Sequence, residues 1–193
     1  MKVSWDSLHA AVSACEQCRL CREATHKVPG QGNPDARLML IGEGPGFEED
    51  KSGLAFVGPA GQLLTRMLGS IGLSREEVYI CNIVKCRPPR NRVPEPDEAA
   101  ACLPFLRMQV ALVRPQVILL LGATAGRYTL GDDFRVTRDR GRFVRKGNIW
   151  FMPTYHPSAL LRDETGVKKR EAWYDLQAVR DQLNALPDKD IKV

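Results

Sequence analysis

The sequence predicts an α/β fold: three layers, α/β/α, around a central four-stranded, largely parallel sheet. Two observations carry this. Four short apolar runs, Arg37–Ile41, Val78–Val84, Val117–Leu121 and Ile149–Met152, have the length and aliphatic content of buried strands. They alternate with segments whose apolar residues recur at helical spacing, and that alternation implies parallel strands with helices on both faces. The 193 residues suffice for one sizeable core, so a single domain over 1–193 is expected.

Each element has its own signal. Trp5, Leu8 and Val12 fall at helical spacing after Ser4, a fitting N-cap. The first strand, RLMLI, runs into the glycine-rich GEGPG at 42–46. Gln62–Ile71 follows as a helix, with Leu63, Leu64, Met67, Leu68 and Ile71 on one face. After the second strand, residues 87–96 hold Pro88, Pro89, Pro94 and Pro96 and read as an extended loop. Pro96 suits the first turn of the next helix, with Asp97 and Glu98 at its positive end, and Pro104 is expected to break that helix. Gly122–Leu130 is a helix after the third strand. The fourth strand ends at Pro153-Thr154-Tyr155-His156. Lys168–Leu186 closes the chain as an amphipathic helix, with Trp173, Leu176, Val179 and Leu183 facing inward.

Composition is that of an ordinary soluble protein, 44% hydrophobic and 26% charged. No run of about 18 apolar residues exists to span a membrane, and no signal pattern opens the chain, so a cytoplasmic protein without membrane contact is expected. The net charge is +5. Lys85, Arg87, Arg90 and Arg92 form one basic group, and Arg135, Arg138, Arg140, Arg142, Arg145 and Lys146 a second. Such groups suit phosphates, or equally a solvated charged face.

In parallel α/β sheets the site lies at the carboxyl ends of the strands. Gly42–Gly46, Asn82 and His156 all fall there, which is the main residue-level argument for an active site. The six cysteines point away from a disulfide scaffold in this setting. Cys15, Cys18 and Cys21 form two overlapping CxxC units, with Cys81, Cys86 and Cys102 far downstream. A CxxC followed by two distant cysteines suits zinc or a [4Fe–4S] cluster, and spacing alone does not choose. Cys81, inside a strand, reads as core.

Five motifs together resemble the family 4 uracil-DNA glycosylases, the iron–sulfur type: GEGPGFEED at 42–50, GLAFVGPAGQLL at 53–64, YICNIVKCRPP at 79–89, LLLGATA at 119–125 and TYHPSALLR at 154–162. The resemblance runs from about Cys15 to Leu183. It implies a uracil-DNA glycosylase-like fold and an enzyme that flips uracil from DNA and hydrolyses its N-glycosidic bond, releasing free uracil. It further implies a [4Fe–4S] cluster held by Cys15, Cys18, Cys86 and Cys102, leaving Cys21 as an extra cysteine, and a monomer.

The resemblance also assigns roles. His156 donates to uracil O2 as negative charge develops, and Asn82 reads uracil O4 and N3–H. Phe56, which by pattern fits a core position equally well, stacks on the flipped base. Gly42, Gly44, Pro45 and Gly46 bring backbone close to the base. Other uracil glycosylases carry a water-activating aspartate at the place of Gly44; here Glu43 is left to orient water. Glu49 braces the loop, with Asn91 as its expected partner. Leu160 is the apolar wedge that fills the vacated stack, and Lys85, Arg87, Arg90 and Arg162 meet DNA. Ser158 and the amides after Pro157 suit a phosphate. The related crosslinking enzymes carry a basic, histidine-containing insertion after the second strand. VKCRPPRNRVPEP has no histidine, so turnover is expected. An electron-transfer protein or a zinc-stabilised nucleic-acid-binding module would explain the cysteines but not GEGPG, Asn82 and HPS together.

Overall fold

The structure, a computed structural model, describes residues 4–189. Helix α1 (Trp5–Ser13) begins at Ser4, whose hydroxyl accepts from the Ser7 amide at 3.2 Å while the Ser7 hydroxyl accepts from the Ser4 amide at 3.0 Å. A 3-10 turn, Arg19–Arg22, leads to β1 (Gln31–Gly32) and β2 (Leu38–Gly42). Helices α2 (Phe47–Ser52) and α3 (Pro59–Gly69) precede β3 (Tyr79–Asn82). Helix α4 (Pro96–Val113), β4 (Val117–Leu121), α5 (Gly122–Leu130) and α6 (Val136–Asp139) follow. The chain ends through β5 (Val144–Lys146), β6 (Ile149–Thr154), α7 (Pro157–Leu161) and α8 (Val167–Ala185).

The sheet has six strands in the order β1-β3-β2-β4-β6-β5. Its inner four are parallel, as the sequence implies, while β1 and β5 add antiparallel edges. Both edges escaped the apolar-run criterion because one is two residues long and the other is exposed throughout. Alternate residues of the central strands feed two cores. Leu38, Leu40, Leu119 and Ile80 pack with Leu64 and Leu68 of α3 and Leu176 and Val179 of α8. Met39, Ile41, Ile118 and Leu120 pack on the other face with Leu8 and Val12 of α1 and Phe105 and Leu106 of α4. Among the described residues, no helix is long and apolar enough to cross a membrane.

Three details differ from expectation. Helix α4 runs straight through Pro104. Pro104 and Ala100, whose carbonyl loses its partner, both lie on the exposed face, so that carbonyl is open to solvent. Trp173 is exposed and stacks beside Tyr174, because Ala172, Leu176, Val179 and Leu183 set the buried face of α8 one position away. One member of the second basic group, Arg140, turns inward, while Arg135, Arg138, Arg142, Arg145 and Lys146 are exposed. Arg140 forks onto buried Asp175, Arg138 pairs with Asp139, Arg145 lies over Trp150 and Lys146 donates to the Thr129 carbonyl. Charges on β5 also discourage edge-to-edge pairing.

Replacing Pro104 by Ala restores the α4 hydrogen bond and is expected to stabilise the fold by about 2 kcal/mol. A denaturant midpoint that fails to rise would show that the helix has adapted to its proline.

Candidate active site

The chain crosses from β3 on one side of β2 to β4 on the other, and a cleft of about 470 Å³ opens at the carboxyl ends of these strands. Its floor is set by register. Gly42 and Asn82 are paired neighbours on β2 and β3. A Cβ at Gly42 would lie 2.4 Å from Asn82 Oδ1 and 2.5 Å from Phe56 Cζ, so only glycine lets both side chains approach the strand end. Asn82 is buried, and its Oδ1 has no hydrogen-bond partner. An unpaired buried acceptor is costly unless a ligand fills it.

His156 caps α7. Its Nδ1 accepts from the Ser158 amide at 3.2 Å and lies 2.8 Å from the Ser158 hydroxyl, so the neutral ring carries its proton on Nε2. Burial, aided by the nearby Arg162 charge, pulls the His156 pKa down to about 4. Ser158 is thereby committed to orienting the histidine. Phe56 lies against His156, with ring centroids 5.7 Å apart. It holds the unusual left-handed φ of 54°, and its turn is pinned by Arg75, which donates to the Phe56 carbonyl at 3.0 Å and the Ala55 carbonyl at 2.8 Å.

Two carboxylates frame the glycine-rich loop. Glu43 lines the cleft and accepts a short hydrogen bond from the Thr124 hydroxyl of α5, while burial raises its pKa. Glu49 accepts from the amides of Val57 and Gly58, each at 2.8 Å, and of Gly46 at 3.1 Å. The expected partner, Asn91, instead accepts from Arg87 Nε at 2.7 Å. Pro45 and Gly46 line the same cleft. A Cβ at Gly44 would lie 2.8 Å from Val84 Cγ2.

Two sequence assignments are corrected. Lys85 is 2% exposed and its ammonium donates to the Asn82 carbonyl at 2.6 Å, so it supports the strand end from inside and does not face DNA. Leu160 is 2% exposed, within the core under α7, whereas Leu161, 45% exposed, stands at the cleft. The helical spacing Pro157 to Leu160 carried the signal: it puts those two on one inner face. Arg90 and Arg162 are exposed, and Arg87 lies over Phe47. Thr124, Arg75 and Leu161 were not legible as site residues because only the fold brings them there.

A second cavity lies under the loop after β3. Cys15, Cys18, Cys21, Cys86 and Cys102 line it with Val12, Leu20 and Phe105. Cys81 sits apart in β3, as expected of a core residue. Burial, reinforced by Cys102 and Cys18, pushes the Cys86 thiol up to about 12. The Lys85 amide donates to Cys102 Sγ at 3.3 Å. The pocket offers several sulfur donors, apolar walls and one N–H···S bond, a setting suited to a thiolate-bound cofactor.

The family model for the uracil DNA glycosylase superfamily matches residues 29–177. A type-4 uracil-DNA glycosylase of Thermotoga maritima is 46% identical over 171 residues, 88% of this chain and 89% of its own. Proteins of the same description from Sulfurisphaera tokodaii and Saccharolobus solfataricus are 43% and 40% identical, over 82% and 94% of this chain and 76% and 88% of theirs.

The corrected leucines separate on stability alone. Leu160→Ala is expected to cost about 2–5 kcal/mol, and Leu161→Ala less than about 0.5 kcal/mol. Equal losses in chemical denaturation would refute the placement. For His156, the unfolded chain binds a proton below its usual 6.5, and the folded chain only near 4. Stability therefore falls as pH drops through that window and is unaffected by this residue above it. An NMR titration of the ring in the folded protein should find it neutral, with the proton on Nε2, at pH 6.

Proposed function

The chain belongs to the uracil DNA glycosylase superfamily, among its type-4 members, and from that premise we propose that it excises uracil from DNA by hydrolysing the bond between uracil N1 and the sugar C1′. The observation that carries the reading is one cleft holding an unpaired Asn82 Oδ1, a neutral His156 and the Phe56 ring. Extruded uracil supplies what these groups lack. Its N3–H donates to Asn82 Oδ1, and its O4 accepts from the Asn82 amide nitrogen. Cytosine presents an acceptor at N3 and a donor at N4, leaving like groups opposed. Phe56 supports the base through its face.

As the glycosidic bond breaks, the sugar becomes oxocarbenium-like and uracil leaves as an anion. His156 Nε2–H donates to O2 while that charge develops, and the ring need not be protonated to do so. Its low pKa keeps it a neutral donor at physiological pH. Glu43, held through one oxygen by Thr124, has its other oxygen to orient water. Gly44 carries no carboxylate, so water positioning falls to Glu43. The product is an abasic site and free uracil, the first step of base excision repair of deaminated cytosine.

On DNA, Arg90 and Arg162 meet phosphates beside the cleft, and Arg87, over the Phe47 ring, adds a further cation. Leu161 takes the wedge role first given to Leu160, filling the stack that the flipped nucleotide leaves. The thiol cavity fits a [4Fe–4S] cluster. Thiols ringing a cavity suit one ligand per iron. Cys15, Cys18, Cys86 and Cys102 line that cavity and are the proposed ligands, with Cys21, which lines it too, as the extra cysteine. Bound there, the cluster supplies a four-point covalent tie between the N-terminal segment, the loop after β3 and α4. The reading takes 1–193 as one domain, acting as a monomer in the cytoplasm, where six free cysteines are at home.

The test is release of uracil from a single-uracil oligonucleotide by the purified holoprotein. Wild type should turn over many times, His156→Ala should lower kcat by about 10²–10³, and Asn82→Ala should lose discrimination against cytosine. No release by cluster-replete wild type, or a stable protein–DNA adduct, would sink the reading. For the cofactor, Ser in place of Cys15, Cys18, Cys86 or Cys102 should strip the visible charge-transfer absorbance and Cys21→Ser should keep it; the reverse would reassign the ligands.

A further inference from the structure

The loop Pro88–Val93 forms part of the cleft wall, and Pro88, Asn91 and Arg92 face the cavity. At its tip two consecutive non-glycine residues, Arg90 and Asn91, hold left-handed φ of 54° and 56°. Backbone of that kind persists only where its surroundings over-determine it. One restraint is local, the Arg87–Asn91 hydrogen bond at 2.7 Å. The other reaches out of the loop to Glu98, a carboxylate that the excision chemistry does not use.

We propose that Glu98 is a positioning residue, which ties the cleft-wall loop to the thiol cage and so holds the Arg90–Asn91 tip at the mouth of the cleft. The Glu98 side chain is fully buried at the start of α4. Arg92 forks onto it, Nη1 to Oε2 at 2.8 Å and Nη2 to Oε1 at 2.7 Å. Arg19 Nε donates to the same Oε1 at 2.7 Å. The Glu95 amide completes the set at 2.8 Å. These bonds, Arg92's first, hold the carboxyl near 2 against the effect of burial, so it stays ionised at any working pH. Arg19 directly follows Cys18, and Glu98 stands one helical turn before Cys102. The carboxylate is thus fastened to two of the three cage-bearing segments, the N-terminal one and α4, and to the loop. Two-point arginine–carboxylate pairs fix orientation as well as distance. Arg92, with both terminal nitrogens committed, is the anchor of the loop and not a phosphate contact, which leaves Arg90 as the cation that the loop presents.

The inference rests on the uracil-excision reading for its kinetic arm only. Full-length, cluster-loaded wild type, Arg19→Ala and Glu98→Gln are compared by visible absorbance, by trypsin cleavage at Arg90–Asn91 and Arg92–Val93, and by uracil release. Arg19→Ala removes an exposed side chain and keeps the experiment decisive if Glu98→Gln folds poorly. Both variants should retain the absorbance. Glu98→Gln should be nicked at these bonds at least about tenfold faster than wild type, with Arg19→Ala between, and KM should rise several-fold with little change in kcat. A lower melting temperature with wild-type nicking and KM would overturn the proposal, leaving Glu98 a helix cap. Lost absorbance in both would also overturn it, because Glu98 would then support the cage and not the loop. If wild type releases no uracil, the functional reading fails, and the proteolysis comparison still decides whether Glu98 holds the loop.

Discussion

The buried Glu49 carboxylate joins the two backbone segments between which the cleft opens. One oxygen takes the amides of Val57 and Gly58, the other that of Gly46. A carboxylate with three backbone donors is a strong, short-range constraint. It holds the glycine-rich loop after β2 against the turn that carries Phe56. Phe56 in turn occupies the space that Gly42 leaves beside Asn82. Remove that brace and the position of the stacking ring, the floor of the cleft and the approach to Asn82 all lose their common reference.

A second set of constraints comes from the sheet. Parallel register puts Gly42 beside Asn82, and the crossing of the chain from β3 to β4 brings Thr124 to Glu43. His156 follows directly from the end of β6 and is turned by Ser158, two residues on. The polar groups of the cleft are therefore fixed by strand ends and short local bonds, and little rearrangement is needed to receive a base. This is the preorganisation that stabilises charge as it forms.

The sequence made the parallel centre of the sheet legible because buried strands need uninterrupted apolar runs, and VILLL and RLMLI have them. It made Asn82, His156 and the glycine loop legible because these sit at strand ends, where topology alone predicts a site. Legibility failed where exposure decides the outcome. Leu160 and Leu161 are identical in type; the spacing from Pro157 sets Leu160 on the same face, and the docking of α7 shows that face to be the inner one. Lys85 reads as a surface cation in any composition argument, yet the chain folds it inward onto the Asn82 carbonyl. Pro104 reads as a helix breaker until its face is known to be the wet one. Edge strands β1 and β5 carry no apolar signature, since β1 is only two residues long and β5 is exposed throughout.

The contact between Gly44 and Val84 bears on how this site can vary among descendants. A single exchange at position 44 to aspartate, the water-activating residue of other uracil glycosylases, would drive its Cβ to 2.8 Å from the Val84 methyl. The neighbouring Pro88 ring, 3.5 Å from the same point, would be in ordinary van der Waals contact with it. The two positions are thus coupled: a side chain at 44 requires the Val84 side chain to shift or to be shortened. A mutational path from this catalytic arrangement to the aspartate-based one therefore involves the segment just past β3, where a change alters no chemistry by itself.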